Sequence, residues 1–389
     1  MIPLFLACAT INVDALSTNE VYADDGEVKK ESGAVQFAVL GGVRPAVPTD
    51  AAAQRVATPQ TEEQVLADLS AQIQEGQADF IVLTGDLVAQ STTSEWKRFT
   101  KAWSPVIAGT EPPQAGRMRV RTVPVAGETD RAGDLQLLGF GASFPGVGQD
   151  IGYNRVASWY AFDVVSRKTS WRIMVLDSDK EALGSRWDEQ LAWMPKALEG
   201  DYHGLLVVMH HPRHTLAKGQ VSDDGGGASA LLDEVDAGTR IGVLKAVFAG
   251  RSHTNEVFVP NGKFGEMYVN AGGAGAPADH QLRWGKSGDR DIALEPIFDT
   301  VLVRQFDGYA EARKAPESAV EKARSSGSFE GFAGEYDAAV MPIQGWWQVE
   351  LDGTTLNLGF RMVQPDGTVK TVYTTTNDAK EGWLIGKGR

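Results

Sequence analysis

Side chains able to do chemistry cluster just beyond the ends of five predicted strands. The five loops read Gly-Gly-Val-Arg at 41–44, Gly-Asp-Leu-Val at 85–88, Gly-Glu-Thr-Asp at 127–130, Met-His-His-Pro at 209–212 and Gly-Arg-Ser-His at 250–253. Carboxylates and imidazoles are the side chains that ligate divalent metals or act as general acids and bases. Ligands bind at the carboxyl edge of an open α/β sheet, so we expect the loops to converge on one site.

The elements that position these loops are buried strands alternating with amphipathic helices. Apolar runs predict strands at 35–40, 80–83, 119–125, 205–209 and 246–248, with hairpins over 158–176 and 257–269 and closing strands around 347–351 and 355–362. Helices are predicted after residue 61, after Thr92 and over 187–198. This order favours one large α/β domain over 34–389, with a polar surface insertion near 311–340 and a C-terminal hairpin.

The order of the five loops resembles that of the calcineurin-like metallophosphoesterases. Segments at 95–99, 188–193 and 268–275 are also similar to segments of that family, and the resemblance covers about 35–276 plus the closing hairpin. It implies an α/β sandwich of two mixed β-sheets flanked by helices. It also implies two divalent metals, bridged by one aspartate. By position, Asp86 matches the bridging carboxylate, His210 the isolated histidine ligand and His253 the last histidine ligand.

Five other positions depart from the family's pattern. Gly42 and Arg44 stand where the first aspartate and histidine belong, and Glu128 replaces an asparagine. Thr129 replaces the general-acid histidine, and Arg251 replaces the first histidine of the last loop. At an effective dielectric of about 20, an arginine about 4 Å from a divalent ion repels it by about 8 kcal/mol. Dinuclear catalysis is therefore not expected, and neither is a cofactor.

The two arginines have a second possible role. Because an unpaired buried carboxylate is costly, we expect Arg44 and Arg251 to fill the space of the lost metals and to pair with the carboxylates of Asp86 and Glu128. The alternative is that each arginine lies on the surface. His211 and Arg213 follow His210 closely, and they are the other two candidate residues for contact with an anion. A solvated loop is the simpler interpretation of this segment.

Three functions are compatible with these substitutions. The favoured one is a catalytically inactive pseudoenzyme that acts as a binding or scaffold component. The second is a residual phosphoesterase with one Mn, Fe or Zn ion on the vestigial ligands Asp86, Glu128, His210 and His253. The third is a sensor that binds phosphate or a phosphoester through the arginines without cleaving it.

Net charge, the length of apolar runs and the number of cysteines limit the classes of partner and site that this chain can have. The 389 residues carry a formal charge of −14, which argues against non-specific nucleic-acid binding because that relies on basic patches. No apolar run reaches the length of about 18 residues that predicts a membrane-spanning helix. The single cysteine, Cys8, excludes an internal disulfide framework and a thiolate metal cluster.

Cys8 also predicts a compartment. It closes the apolar stretch 1–8 as the lipidated cysteine of a bacterial lipoprotein signal does, and the polar composition of 9–33 is typical of a tether. We therefore expect a protein on the periplasmic side of the bacterial cell envelope. It would contact the membrane only through a lipid on Cys8 and would have other envelope proteins as partners. The alternative is an apolar tail with a chance cysteine.

Overall fold

The computed structural model describes residues 27–30, 33–43, 78–107, 121–144, 158–215, 227–252, 255–260, 265–272, 336–341, 345–363, 369–378 and 382–387. Its strands are β1 Glu27–Lys30, β2 Val35–Leu40, β3 Phe80–Leu83, β4 Arg121–Pro124, β5 Tyr160–Ser166, β6 Thr169–Val175, β7 Gly204–Val208, β8 Leu244–Ala249, β9 Asn255–Pro260, β10 Met267–Ala271, β11 Tyr336–Met341, β12 Gly345–Asp352, β13 Thr355–Val363, β14 Val369–Asp378 and β15 Gly382–Lys387. Its helices are α1 Thr93–Ile107, α2 Leu138–Ser143, α3 Lys180–Leu183, α4 Arg186–Ala197 and α5 Gly227–Gly238, with a 3₁₀ turn at Thr129–Arg131.

The strands form two mixed sheets. One sheet has eight strands in the order β1-β5-β6-β7-β8-β10-β9-β11, and the other has seven in the order β15-β14-β13-β12-β2-β3-β4. Within them, β6, β7 and β8 are mutually parallel, as are β2, β3 and β4. The carboxyl ends of parallel strands share one edge of a sheet, which is where the loops after β3, β4, β7 and β8 lie. The predicted sandwich of two mixed sheets flanked by helices is confirmed.

Apolar side chains fill three layers. The central layer lies between the sheets and includes Phe80 and Trp347 from one sheet and Trp171 and Phe248 from the other. A second layer packs α4 and α5 against the eight-stranded sheet. The third packs α1 and α2 against the seven-stranded sheet. Helices therefore cover the outer faces of both sheets, and the loops at the strand ends are left at the edge.

Helix α1 shows why the sequence gives this packing. Thr92 Oγ1 accepts a hydrogen bond from Glu95 N at 3.2 Å, which caps the amino end of the helix. Trp96, Phe99 and Trp103 then fall on one face at helical spacing and are all buried, as the spacing predicts. The capped helix holds the chain that leaves β3 against its sheet.

The structure adds strands that the sequence analysis lacks. Residues Glu27–Lys30, in the segment predicted as a tether, pair parallel with β5 at the edge of a sheet. Strand β11 overlaps the end of the segment predicted as an insertion, and β14 and β15 extend the closing hairpin. β1, β11 and β15 lie at sheet edges, where strands pair through backbone groups and need no apolar pattern, so periodicity does not reveal them. The helix predicted after residue 61 lies outside the described residues, and among the described helices none is long and apolar enough to cross a bilayer.

Candidate functional site

The turn Thr84-Gly85-Asp86 after β3 is the centre on which the other loops pack. The carbonyl oxygen of Thr84 accepts a hydrogen bond from His210 Nδ1 at 2.8 Å. The amide nitrogen of Gly250 donates to the carbonyl oxygen of His210 at 2.9 Å. The ends of β3, β7 and β8 therefore meet, as the sequence analysis predicts.

Asp86 and His210 face each other in this centre. Asp86 is 6% exposed and His210 is fully buried, and His210 Nε2 lies 3.3 Å from Asp86 Oδ1. A carbonyl oxygen only accepts hydrogen bonds, so His210 Nδ1 carries a proton and donates it to Thr84. The other ring nitrogen, Nε2, makes no hydrogen bond to any described residue. The imidazole of His210 and the carboxylate of Asp86 thus lie next to each other at the centre of the site.

Glycines permit this close approach of loops. Gly85 has φ +92°, and a Cβ there would lie 2.4 Å from His210 Nδ1. At Gly127 a Cβ would lie 2.2 Å from the amide nitrogen of Asp86. Both contacts are shorter than any side chain tolerates, so the glycines of these loops are required for the positions of Asp86 and His210.

Asp130 organises the loop after β4. One oxygen of its buried carboxyl, Oδ1, accepts from the amides of Leu87 and Val88 at 2.8 and 3.1 Å, and Oδ2 accepts from the amide of Gly127 at 2.9 Å. Burial, and after it the charge of Asp86, raises the pKa of Asp130 to about 6. Asp130 lies in the predicted loop at 127–130, but no role is predicted for it from the sequence. Its place at the end of a Gly-rich loop is the signal that identifies it.

Thr129, at the position of the general acid, is turned away from this space. Its Oγ1 donates a hydrogen bond to the carbonyl oxygen of Val88 at 2.6 Å, and its amide nitrogen donates to Asp86 Oδ1 at 3.0 Å. A hydroxyl does not titrate near neutral pH, and this one is already engaged. Thr129 therefore positions Asp86 and is not a proton donor to a bound ester.

Arg251 contacts two hydrogen-bond acceptors, one in the loop after β4 and one in the loop after β7. Its Nη1 is 2.9 Å from Glu128 Oε2 and also contacts His211 Nε2. The sequence predicts that Arg44 and Arg251 pair with Asp86 and Glu128 without assigning which arginine meets which carboxylate, and the structure pairs Arg251 with Glu128. Arg251 has φ +57°, an unusual conformation for a residue with a long side chain. The guanidinium thus links the ends of β4, β7 and β8.

The contacts of His211 fix its protonation. An arginine only donates, so His211 Nε2 is an acceptor and the ring proton is on Nδ1, which donates to Ser178 Oγ at 2.9 Å. Ser178 Oγ also accepts from the amide nitrogen of His211 at 2.8 Å. Burial, then the neighbouring His210 and Arg251, lowers the pKa of His211 to about 2. A buried neutral imidazole offers little to an anion.

A buried ion pair anchors the same region. Arg131 Nη2 contacts Asp177 Oδ2, and the side chains are 4% and 0% exposed. Asp177 and Ser178 follow β6, a sixth strand end that delivers polar residues to this edge. Burial raises the pKa of Asp177, against the lowering effect of Arg131. This loop is not predicted from the sequence, because it contains neither glycine nor histidine.

Arg213 is not brought into this arrangement. Arg213 lies beside Tyr268 and Asp233: its Nη1 donates to Tyr268 Oη at 3.4 Å, and its Nη2 is 3.6 Å from Asp233 Oδ1. Gly42, where the family has an aspartate, has φ +65° and no side chain to offer. Arg44, His253 and Cys8 lie outside the described residues.

Comparison with known proteins identifies the fold. No protein-family model matches the sequence, and no curated protein does either. The structure of PhoD matches with a TM-score of 0.55 and 8% identity, over 93% of this chain and 73% of that one. The chain has the calcineurin-like metallophosphoesterase fold.

Two further matches to the metallophosphoesterase fold are weaker. The purple acid phosphatase PPD1 from yellow lupin (Lupinus luteus) seeds gives a TM-score of 0.49 and 14% identity, over 89% of this chain and 54% of that one. This chain thus spans about half of its length. GAP50, described as the anchor in the inner membrane complex of Plasmodium, gives a TM-score of 0.48 and 16% identity, over 92% of this chain and 91% of that one.

The described residues do not fit the metals that the metallophosphoesterase fold implies. Asp86 Oδ1 and His210 Nε2 are a suitable pair of donors, but no group of three potential ligands comes together among the residues that the structure describes. Glu128 is paired with Arg251 instead. A divalent ion about 4 Å from that guanidinium would be repelled by about 8 kcal/mol at an effective dielectric of about 20. The charge of Arg251 and the small number of ligands are therefore both unfavourable for binding of a divalent metal.

Proposed function

We propose that this chain is a pseudoenzyme with the metallophosphoesterase fold, which acts as a binding or scaffold component of the bacterial cell envelope. The observation that carries the proposal is the position of Arg251 between Glu128 and His211, because a permanent cation lies where the chemistry needs a metal. The engaged hydroxyl of Thr129 supports it, since no general acid stands in the place of the family's histidine.

The test is hydrolysis of aryl phosphate mono- and diesters with Mn²⁺, Fe²⁺ or Zn²⁺ between pH 5 and pH 9. We expect no turnover above that of the Asp86→Asn variant. Turnover in the wild type that Asp86→Asn abolishes would overturn the proposal. The Asp86→Asn control is needed because trace phosphatases from the expression host contaminate such assays.

The envelope assignment depends on Cys8 and has its own test. Expressed from its own bacterial locus, the protein should incorporate a fatty-acid label and fractionate with membranes. The Cys8→Ser variant should lose both properties. Equal labelling of the two proteins would exclude attachment at Cys8. Chemical cross-linking of the labelled protein in intact cells would then identify its envelope partners.

A residual phosphoesterase with one metal is the second candidate, and one observation favours it. His210 Nε2 and Asp86 Oδ1, two atoms of types that ligate divalent metals, lie 3.3 Å apart. For the third candidate, a phosphate sensor, the described contacts offer less: Glu128 already pairs with the Arg251 guanidinium, and Arg213 lies beside Asp233. The same assays, with phosphate added in a thermal-shift measurement, separate the three.

A further inference from the structure

We infer that the surface around Leu135 and Leu138 lies against the lipid bilayer of the envelope and sets the orientation of the molecule there. The inference rests on the proposed function, since it takes Cys8 as the point of lipid attachment. It goes further because it assigns a lipid-contacting surface to the folded part of the chain. The name leucine surface is used below for the exposed residues of 132–138, which are Ala132, Gly133, Leu135, Gln136 and Leu138.

Large apolar side chains are exposed on the leucine surface. Leu135 is 74% exposed and Leu138 is 42% exposed, and they are two of the four large apolar side chains that are exposed among the described residues. A leucine that leaves water for hydrocarbon gains free energy in proportion to the apolar area that it buries. Single exposed leucines are ordinary on a protein surface, but two that lie three positions apart indicate a contact site.

The leucine surface is also free of charge. Its exposed residues have no ionisable side chain, and the one charged residue of 132–144, Asp134, is buried. The whole chain has a formal charge of −14, so anionic lipid headgroups repel the molecule as a whole. An uncharged face is the one that can approach them most closely. Ile241, although it is 94% exposed, has the charged residues Asp236 and Arg240 close to it in the chain.

Hydrogen bonds hold the leucine surface in place. Asp134 Oδ2 accepts hydrogen bonds from Ser91 Oγ at 3.3 Å and from the amide nitrogen of Gly139 at 2.9 Å. The amide nitrogen of Leu137 donates to the carbonyl oxygen of Asp134 at 3.0 Å, which closes a turn that contains Leu135. Because this segment is already ordered, a contact that it makes costs little additional conformational entropy.

Strand β1 begins at the end of the molecule that bears the leucine surface. It runs parallel with β5, with Glu27 opposite Asp163, so its start is directed toward Tyr160, the first residue of β5. Tyr160 Oη donates to the carbonyl oxygen of Pro124 at 2.8 Å, and Pro124 ends β4, which leads into the loop before the leucine surface. Glu27 comes about 20 residues after Cys8, so even a fully extended chain holds it within about 70 Å of the lipid. The anchor therefore keeps this end of the molecule near the bilayer.

Two leucines are sufficient because their contact adds to that of the anchor. Once one part of a molecule is attached, a second contact forms at a high effective concentration. Replacing Leu135 and Leu138 by serine should lower the ratio of the bilayer-contacting orientation to all others by about tenfold. Ile241 is the matched control, because it precedes β8 and so lies at the edge opposite the loops that follow the parallel strands.

The experiment uses the full lipidated chain in vesicles of phosphatidylethanolamine and phosphatidylglycerol that contain a nitroxide-labelled lipid as quencher. Because Cys8 is the single cysteine and carries the lipid, a fluorescent dye on an introduced cysteine reports one position. We expect the dye on Gln136→Cys to be quenched and the dye on Ile241→Cys to remain unquenched. Adding Leu135→Ser and Leu138→Ser to Gln136→Cys should reduce the quenching to the level of the Ile241→Cys protein. Circular dichroism checks that each variant is folded.

Three results in lipidated protein would overturn the inference. The first is equal quenching at positions 136 and 241, and the second is quenching at position 136 that persists after both leucines are replaced. The third is a cross-link from position 136 to another envelope protein without quenching, which would assign the surface to a protein partner. Absence of lipid from Cys8, read by the fatty-acid label, is instead failure of the envelope assignment in the proposed function and removes the premise. Hydrolysis by the wild type decides the pseudoenzyme proposal independently of all these results.

Discussion

The two sides of the site differ in what determines them. On the side of Asp86 and His210, glycines at 85 and 127 let the loops approach, and Asp86 Oδ1 lies 3.3 Å from His210 Nε2. On the side of Glu128 and His211, one guanidinium contacts both side chains. The first side is therefore fixed by close backbone packing, whereas the second is fixed by the charge and hydrogen bonds of one side chain.

The largest effect is expected where the second side is anchored. Arg131→Met leaves the buried carboxylate of Asp177 without its cation, so we expect the free energy of unfolding to fall by about 3–5 kcal/mol. The double variant Arg131→Met with Asp177→Leu should recover much of that loss. Urea denaturation measures both.

A matched control for this ion pair is Arg167 with Asp352, whose side chains are 54% and 38% exposed. Because solvent screens an exposed pair, Arg167→Met should cost less than about 1 kcal/mol. Similar losses for Arg131→Met and Arg167→Met would show that the buried pair does not anchor the loops.

The next largest loss of stability is expected at the glycines that let the loops of Asp86 and His210 approach each other. Gly85→Ala should lower the free energy of unfolding by about 3 kcal/mol, because it combines a positive φ with a Cβ 2.4 Å from His210 Nδ1. Gly133→Ala is the control, since Gly133 has nearly the same φ, +90°, and its nearest neighbour would be 4.0 Å away. It should cost about 1 kcal/mol. If thermal denaturation gives equal losses, the close packing on His210 is not what fixes this side.

Such features show how far the sequence could predict this molecule. Apolar runs predicted β2 and β3 to the residue, since a strand buried on both faces leaves an unbroken signal. The positions of the polar loops after these strands predicted that the strand ends converge, and charge predicted that arginines there pair with carboxylates, as Arg251 does with Glu128. The contact between Arg131 and Asp177 joins residues 46 apart and depends on how two sheets meet. No local pattern contains that information.

A smaller effect is expected at Asp130, which ties the loop after β4 to the turn after β3. Its two carboxyl oxygens accept hydrogen bonds from three backbone amides, those of Leu87, Val88 and Gly127. Asp130→Asn places an amide donor opposite one of these N–H groups, so we expect a loss of about 1–3 kcal/mol in the free energy of unfolding. Asp134→Asn provides a comparison at a second buried carboxyl that accepts from Ser91 Oγ and the amide of Gly139. An unchanged stability of Asp130→Asn would mean that the carboxyl does not organise the loop.

The smallest effect is a pair of opposite pH dependences. The pKa of His211 is about 2, below its usual 6.5, so as pH falls below 6.5 the unfolded chain binds a proton that the folded chain does not, and stability falls. The pKa of Asp130 is about 6, above its usual 3.8, so between pH 6 and pH 4 the folded chain keeps a proton that the unfolded chain loses. As pH falls through this window, Asp130 therefore adds stability. The two contributions, each at most about 1.4 kcal/mol per pH unit, oppose each other.

Replacing either His211 or Asp130 should reveal the contribution of that group to the pH dependence of stability. The quantity to measure is the free energy of unfolding of each variant minus that of the wild type, because this difference cancels all remaining titrations. For His211→Gln the difference should rise as pH falls from 6 to 4.5, and for Asp130→Asn it should fall. Parallel curves for the two variants would show that these groups titrate normally. Opposite slopes would mean that a neutral imidazole and a protonated carboxyl coexist within one site near pH 5. With both groups uncharged there, the fixed positive charges of the region are those of Arg251 and Arg131, which pair with the carboxylates of Glu128 and Asp177.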